Sequence, residues 1–169
     1  MQKHKDIDIY AKLLSLAKCF SGFGMIELKQ LLAISSKAIW EIGDDIFLEG
    51  AQGKDMFIIC TGKVSIWRKN GEEKLALASL SEGESFGEMG LIRGGVRSAG
   101  ASALEKTIAL RVISDRLHEA PTAAAILYRN IARALAERLV IANDIIVFQS
   151  KAGAESPELL TIGWRHQRK

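Results

Sequence analysis

One stretch of the chain, FGEMGLIRGGVRSAGAS at residues 86–102, sets a carboxylate and a guanidinium at a short spacing among glycines. Glu88 directly follows Gly87, and Arg97 comes nine residues after Glu88. A guanidinium matches the geometry of a phosphate and keeps its charge at all ordinary pH values. Glycine at 87 lets the backbone come close to a bound molecule. The stretch predicts a site for a small phosphorylated ligand, and the alternative is a Glu88–Arg97 salt bridge within a loop.

Composition argues against several other kinds of site. The chain has 169 residues and a net charge of +3, which is too small to indicate nucleic acid by itself. Cys19 and Cys60 form no CxxC motif and the three histidines are far apart, so we expect buried free thiols and no metal site. The N-terminus has no apolar signal region, and no run approaches the roughly 18 apolar residues of a membrane span. We therefore expect a cytoplasmic protein with no membrane segment.

A β-rich region must position the 86–102 stretch. From about residue 37 to residue 112, short apolar runs alternate with glycines, and Asn70-Gly71 is a strong hairpin signal. About eight short strands are expected, and they predict a jelly-roll-like antiparallel β-barrel. The fold class is therefore mainly β with flanking helices.

Helical spacing brackets this barrel on both sides. Residues 7–20 and 24–34 predict two short helices. The buried side of the second helix is predicted to carry four residues: Met25, Leu28, Leu31 and Leu32. We expect one domain over residues 1–150, followed by a tail over 151–169.

A long helix is predicted from Pro121 to about residue 149, because proline suits a first helical turn and neither glycine nor proline follows. One heptad-like seam runs along it, through Ala125, Tyr128, Ala132, Leu135, Leu139, Ala142 and Ile146. A second apolar edge contains Leu127, Ile131, Val140, Ile141 and Ile145. One face can pack on the barrel and the other on a partner, so the helix predicts a homodimer seam. The alternative is a core helix with a wide apolar face.

The motif FGE, a spacer and Arg-Ser-Ala follow glycine-punctuated strands that include 43–47, 50–53 and 62–66. In this combination the chain resembles the cyclic nucleotide-binding domain of bacterial catabolite activator proteins, kinase regulatory subunits and gated channels. The resemblance covers roughly residues 10–149. It implies a β-barrel that binds a cyclic nucleotide and a C-terminal helix that transmits the binding.

The resemblance also implies a short helix at about 88–92, whose N–H groups turn towards the anion, and a role for each residue of the motif. Glu88 would accept a hydrogen bond from the ribose 2′-hydroxyl, because a carboxylate repels phosphate and belongs at the sugar. Arg97 would pair with the cyclic phosphate, and Ser98 and Ala99 would add hydroxyl and backbone contacts to its oxygens. The whole ligand-binding segment comprises Phe86, Gly87, Glu88, Met89, Arg97, Ser98 and Ala99.

The base of the nucleotide would lie between the barrel and the long helix. The resemblance implies contacts from Val64, Leu77 and Ala78 on the barrel and from Arg138 and Leu139 on the helix. Arg138 could stack on the purine or remain a solvated arginine at the rim. A threonine after the phosphate arginine is often associated with cyclic GMP. Serine stands there instead, so we expect cyclic AMP, with cyclic GMP possible.

Two positions depart from the family pattern: Val96 replaces a frequent proline, and Gly100 replaces a larger residue. Both should loosen the loop without removing a ligand contact. No nucleophile–base pair or metal set is present, so we expect a sensor that signals to a second subunit or an unknown downstream protein. Neither enzyme activity nor direct DNA binding is expected. The alternative is an interaction module with the same fold and an unused pocket.

Overall fold

The computed structural model describes residues 18–151 of the chain. Most of the helix predicted over residues 7–20, and nearly all of the tail predicted over 151–169, lie outside the described residues. At the start of the described part, Lys18–Phe20 form one turn of 3₁₀ helix.

Ten strands in the described residues form two four-stranded antiparallel sheets and one short pair. The sheets have the orders β1-β10-β4-β7 and β2-β9-β5-β6, and β3 pairs with β8. The strands are β1 Ser36–Trp40, β2 Asp45–Phe47, β3 Gln52–Gly53, β4 Asp55–Thr61, β5 Val64–Asn70, β6 Glu73–Leu80, β7 Ser85–Phe86, β8 Gly95–Val96, β9 Gly100–Ala103 and β10 Thr107–Ile113. This confirms the jelly-roll-like fold, although hydrogen bonding does not close the sheets into one barrel.

The hydrophobic core lies between the two four-stranded sheets. Its buried members come from both of them and are Phe57, Ile59, Val64, Leu80, Phe86, Ala101 and Ala109. Phe57 and Phe86 stack with their ring centroids 5.2 Å apart, and Phe47 packs against both rings. Alternation along the strands points these side chains inward. We call this side of each sheet the inner face.

Strands β5 and β6 form the predicted hairpin. Asn70 pairs with Glu73, so the turn consists of Gly71 and Glu72. Gly71 has a φ of 64°, a conformation that glycine adopts without steric cost. The register shifts between Ile66 and Trp67, which marks a bulge in this strand pair.

Three α-helices and two 3₁₀ turns flank the sheets in the described residues. They are the turn at Lys18–Phe20, α1 Met25–Ile34, α2 Glu88–Arg93, the turn at Ser114–Glu119 and α3 Pro121–Lys151. The predicted starts of α2 and α3 are confirmed. Leu28 and Leu31 are buried as expected, but Met25 is 61% exposed because it opens the first turn of α1, so its predicted burial was wrong.

The chain divides into two compact units, Met1–Ile131 and Ala132–Lys169, and α3 runs from the first into the second. Within the first unit, Leu127 and Ile131 are buried. The Asn130 amide donates hydrogen bonds to the carbonyls of Cys19, at 2.8 Å, and Ser21, at 2.7 Å. The start of α3 is thereby attached to the 3₁₀ turn at Lys18–Phe20. Burial raises the pKa of the Cys19 thiol to about 12.

The described part of the second unit is helical. Six of its large apolar side chains are well exposed, namely Leu139, Val140, Ile141, Ile145, Val147 and Phe148. Among residues 18–151, no helix is long and apolar enough to cross a membrane.

Candidate ligand site around Arg97

Helix α2 positions Glu88. The preceding residue, Gly87, has a φ of 81° and turns the chain from β7 directly into the helix. Glu88 therefore occupies the first helical turn, where a carboxylate is favourably placed. It is only 7% exposed, which is unusual for a glutamate.

Arg97 lies in the link between β8 and β9. Its backbone N–H donates to the Ala51 carbonyl at 2.8 Å, and its carbonyl accepts from the Gly50 N–H at 2.9 Å. The side chain is 4% exposed, and its guanidinium carbon lies 4.1 Å from the centroid of the Phe47 ring. Arg97 therefore points towards the inner face, where it stacks on an aromatic ring.

Three glycines make room for the guanidinium. A Cβ at Gly53 would lie 2.5 Å from Arg97 Nε, and one at Gly90 would lie 2.6 Å from Arg97 Nη1. A Cβ at Gly87 would lie 2.9 Å from the same Nη1. These three glycines thus leave space for the guanidinium, and Gly87 also turns the backbone.

Asp55 is the ion-pair partner of Arg97, and sequence reasoning missed it. Its carboxylate accepts from Arg97 Nη2, and its backbone carbonyl accepts from Arg97 Nη1 at 2.6 Å. Its second carboxylate oxygen accepts from Arg111 Nε at 2.5 Å. Asp55 opens an apolar strand and lies two residues before the core residue Phe57. An acid on the buried face of a strand needs a cation, and this signal could have revealed it.

One donor of Arg97 has no partner. The carbonyl of Gly87 accepts from Nη1 at 3.1 Å, but Nε is buried and makes no hydrogen bond within the described part of the chain. Burial lowers the pKa of Arg97, while the neighbouring Asp55 carboxylate opposes that shift. An arginine nonetheless stays protonated. The site therefore contains a buried cation with an unused N–H group.

The other residues predicted for the site have diverse surroundings. Phe86 is buried and Met89 is half-buried, whereas Ser98 is exposed and Ala99 is half-buried. On the sheet, Val64 is a core residue, and Leu77 and Ala78 are exposed on β6. In the second unit, Arg138 and Leu139 are both exposed. The described residues contain no group of three or more His, Cys, Asp or Glu that could hold a metal ion.

Comparisons with known proteins agree with this fold and motif. A family model, Cyclic nucleotide-binding domain, matches residues 39–120. The "Cyclic AMP receptor protein" of Thermus thermophilus is 30% identical over 147 residues, which cover 85% of this chain and 68% of that protein. The human "cGMP-dependent protein kinase 2" is 37% identical over 76 residues, or 44% of this chain and 10% of the kinase.

A solved structure extends the likeness to three dimensions. The Thermus thermophilus catabolite activator protein superposes with a TM-score of 0.72 at 30% identity. The superposition covers 79% of this chain and 63% of that one. Sequence and structure thus agree that the chain belongs to the cyclic nucleotide-binding domain family.

Proposed function

We propose that the first unit binds a cyclic nucleotide, with Arg97 on the cyclic phosphate and Glu88 on the ribose 2′-hydroxyl. The observation that carries the proposal is the unpartnered Nε of an arginine that is only 4% exposed. An unsatisfied buried donor costs about 1–3 kcal/mol. A phosphate oxygen would accept from Nε and also supply the negative charge that a desolvated guanidinium favours.

Charge balance supports the division of roles between these two residues. Arg97 and Arg111 share the single carboxylate of Asp55. The negative charge of a cyclic phosphodiester would be favourable beside these two guanidiniums. Glu88 also interacts electrostatically with Arg97. Its own negative charge makes it better suited to a hydroxyl group than to a phosphate.

We propose cyclic AMP as the preferred ligand, with cyclic GMP binding more weakly. Ser98 follows Arg97 where a threonine would favour cyclic GMP, and one relative is named for cyclic AMP and another for cyclic GMP. Within the first unit, Val64, Leu77 and Ala78 of the second sheet are the proposed contacts of the base.

Calorimetry tests the binding proposal. Nucleotide-free protein is titrated with cyclic AMP, cyclic GMP and, as a control, 5′-AMP. Arg97→Gln should lower the affinity for cyclic AMP about 100-fold, because the charge-assisted hydrogen bond from Nε and the positive charge beside the phosphate are both lost. Arg93→Gln removes an exposed arginine of α2 and is the matched control, which should bind like the wild type.

Unfolding curves establish whether each variant is folded, and Arg97→Lys replaces Arg97→Gln if the latter is not. Wild-type affinity in a folded Arg97 variant would overturn the site assignment. A folded wild-type protein that gives no heat with any of the three nucleotides would overturn the function. The chain would then be better described as an interaction module.

We further propose that α3 transmits binding to a second copy of the chain or to a downstream protein. The support is the exposed apolar surface on its second half, where Leu139 of the predicted seam is 62% exposed and Val140 and Ile141 of the second apolar edge are each 59% exposed. Such a surface is typical of a partner interface. The proposal includes no enzymatic step and no direct DNA contact for these 169 residues, and it places the protein in the cytoplasm.

Sedimentation velocity tests the homodimer. Ala142 lies on the predicted seam and Asn143 lies beside it, and both are exposed. We expect the wild type and Asn143→Glu to sediment as dimers, and Ala142→Glu to sediment as a monomer because it places a charge in the seam. A monomeric wild type, or equal behaviour of the two variants, would contradict a homodimer through this seam.

A further inference from the structure

Trp67 lies on the opposite face of its sheet from the ligand site. In the β5–β9 pair, Ile66 is opposite Ala101, whose side chain is in the core, and Trp67 is opposite Gly100. Because successive residues of a strand alternate between faces, the indole ring is on the outer face. A tryptophan there would ordinarily be exposed to solvent, but this one is only 2% exposed.

The ring lies against Gly100. A Cβ at position 100 would overlap three ring atoms of Trp67. The φ of Gly100 is not in the left-handed region, so its backbone conformation does not demand glycine. Space alone therefore excludes a side chain at this position. The indole ring occupies the volume in which that side chain would lie.

Hydrogen bonds hold the ring in place from the other strands of the sheet. Trp67 Nε1 donates to Ser102 Oγ at 2.7 Å, and Ser102 Oγ donates to Asp45 Oδ1 at 2.5 Å. Lys74 Nζ donates to the same carboxylate oxygen at 2.7 Å and lies 4.3 Å from the centroid of the Trp67 ring. Each of the four strands β2, β9, β5 and β6 contributes one residue to this network.

We propose that Trp67 is a positioning residue for the phosphate-binding segment, acting through Gly100. Gly100 begins β9 only three residues after Arg97, so whatever fixes Gly100 also fixes the C-terminal end of the segment. The N-terminal side is fixed by the hydrogen bonds of Arg97 to Gly50 and Ala51. The inference rests on the proposed function for its effect on ligand affinity.

The reason is conformational freedom. A glycine three residues after the phosphate arginine would by itself let the segment sample more conformations. Contact with a rigid indole ring removes that freedom, and the bond from Trp67 to Ser102 ties the ring to the same strand. In this chain, support for the arginine therefore comes from a side chain on the neighbouring strand β5.

The test is a mutant cycle with two readouts. Gly100→Ala, Trp67→Leu and the double variant are compared with the wild type. One readout is the affinity for cyclic AMP. The other is the hydrogen-exchange rate of the Arg97 backbone amide, measured without nucleotide. Gly24→Ala is the control, because Gly24 also has a negative φ and its nearest neighbour is the flexible Glu27 carboxylate.

Each single variant should weaken cyclic AMP binding about tenfold and speed exchange of the Arg97 amide, whereas Gly24→Ala should change neither. The double variant should bind more tightly and exchange more slowly than Gly100→Ala alone, because the alanine methyl enters the space vacated by the indole. If Trp67→Leu does not fold, Trp67→Phe takes its place, with a smaller effect in the same direction.

The proposal would be overturned if the two substitutions acted independently. In that case the loss of cyclic AMP affinity in the double variant would equal the product of the two single-variant losses. Wild-type exchange at Arg97 in folded Trp67→Leu would also overturn it. Failure of the proposed function looks different. In that case the wild type binds no nucleotide, and the exchange rates still decide the role of Trp67.

Discussion

Two aspartates, one on each face of the jelly roll, each connect a pair of donors. On the inner face Asp55 accepts from Arg97 and Arg111, and on the outer face Asp45 accepts from Lys74 and Ser102. The Asp55 side chain is 10% exposed and the Asp45 side chain is 36% exposed. The two aspartates therefore accept similar hydrogen bonds, but Asp55 does so largely away from water and Asp45 does so in contact with it.

The difference assigns separate tasks to the two faces. On the inner face a buried cation keeps an unpartnered N–H group, which is tolerated where a ligand binds. On the outer face Lys74 and Ser102 both donate to the Asp45 carboxylate and are both partly exposed to water. Their network therefore connects the strands at little desolvation cost. The proposed ligand site thus lies on the inner side of the sheet, and the network proposed to support it lies on the outer side.

The largest expected effect is on the inner face. Asp55→Asn removes the negative charge between Arg97 and Arg111, and it should lower the free energy of unfolding by about 3 kcal/mol because a buried cation loses its compensation. Urea unfolding measures this value. On the outer face, Asp45→Asn should lower the free energy of unfolding by much less, because Asp45 and its partners are more exposed to water.

Asp115→Asn is the matched control for that prediction. Asp115 also pairs with a cation, Lys54, at 3.5 Å, but the two side chains are 68% and 59% exposed. Its loss should cost about 0.5 kcal/mol or less. Equal losses for the two asparagine variants would show that burial does not govern the Asp55 interaction.

The smallest expected effect is on the outer face and depends on pH. The hydrogen bond from Lys74, followed by that from Ser102, holds the pKa of Asp45 below its ordinary value of 3.8. Because the folded-state pKa is the lower one, the stabilisation is complete above the unfolded pKa and is lost as the pH falls through the folded one. The stability difference between the wild type and Asp45→Asn should therefore shrink only in acid.

Unfolding curves from neutral pH down to pH values below 3.8 measure that difference. Lys74→Met serves as the second background, since it removes the largest cause of the shift. There the acid-dependent part should be smaller. If the stability difference between the wild type and Asp45→Asn did not change with pH, the ionised Asp45 carboxylate would not stabilise the network around Trp67.

Much of the fold could be predicted from the sequence because its signals are local. Asn70-Gly71 marked the hairpin, and Pro121 marked the first residue of α3, where a missing N–H costs nothing. Met25 was misplaced because helical spacing continues into the first turn of α1, where this side chain is 61% exposed. The open edges of the two sheets depend on pairing between distant strands, which a periodicity of two does not specify.

The ligand site was only half predictable. Glu88 and Arg97 stand in one recognisable motif, so their proximity follows from the chain itself. Asp55 lies 42 residues before Arg97, and only the β4–β7 register and the inward turn of the loop bring the two together. The fit of Trp67 on Gly100 was missed for a similar reason. Gly100 was interpreted as a residue that loosens the loop. The indole ring that fills the space beside it belongs to Trp67, 33 residues earlier in the chain.

The contact between Gly100 and the Trp67 ring also restricts the order in which the two residues can be acquired. Tryptophan at 67 with any side chain at 100 produces a steric clash, whereas glycine at 100 with a smaller residue at 67 leaves only a void. From a homologue that has a side chain at 100, we therefore expect glycine to be acquired before tryptophan. Once tryptophan has followed, a side chain can return at 100 only if the indole ring moves, so the two positions are expected to change together.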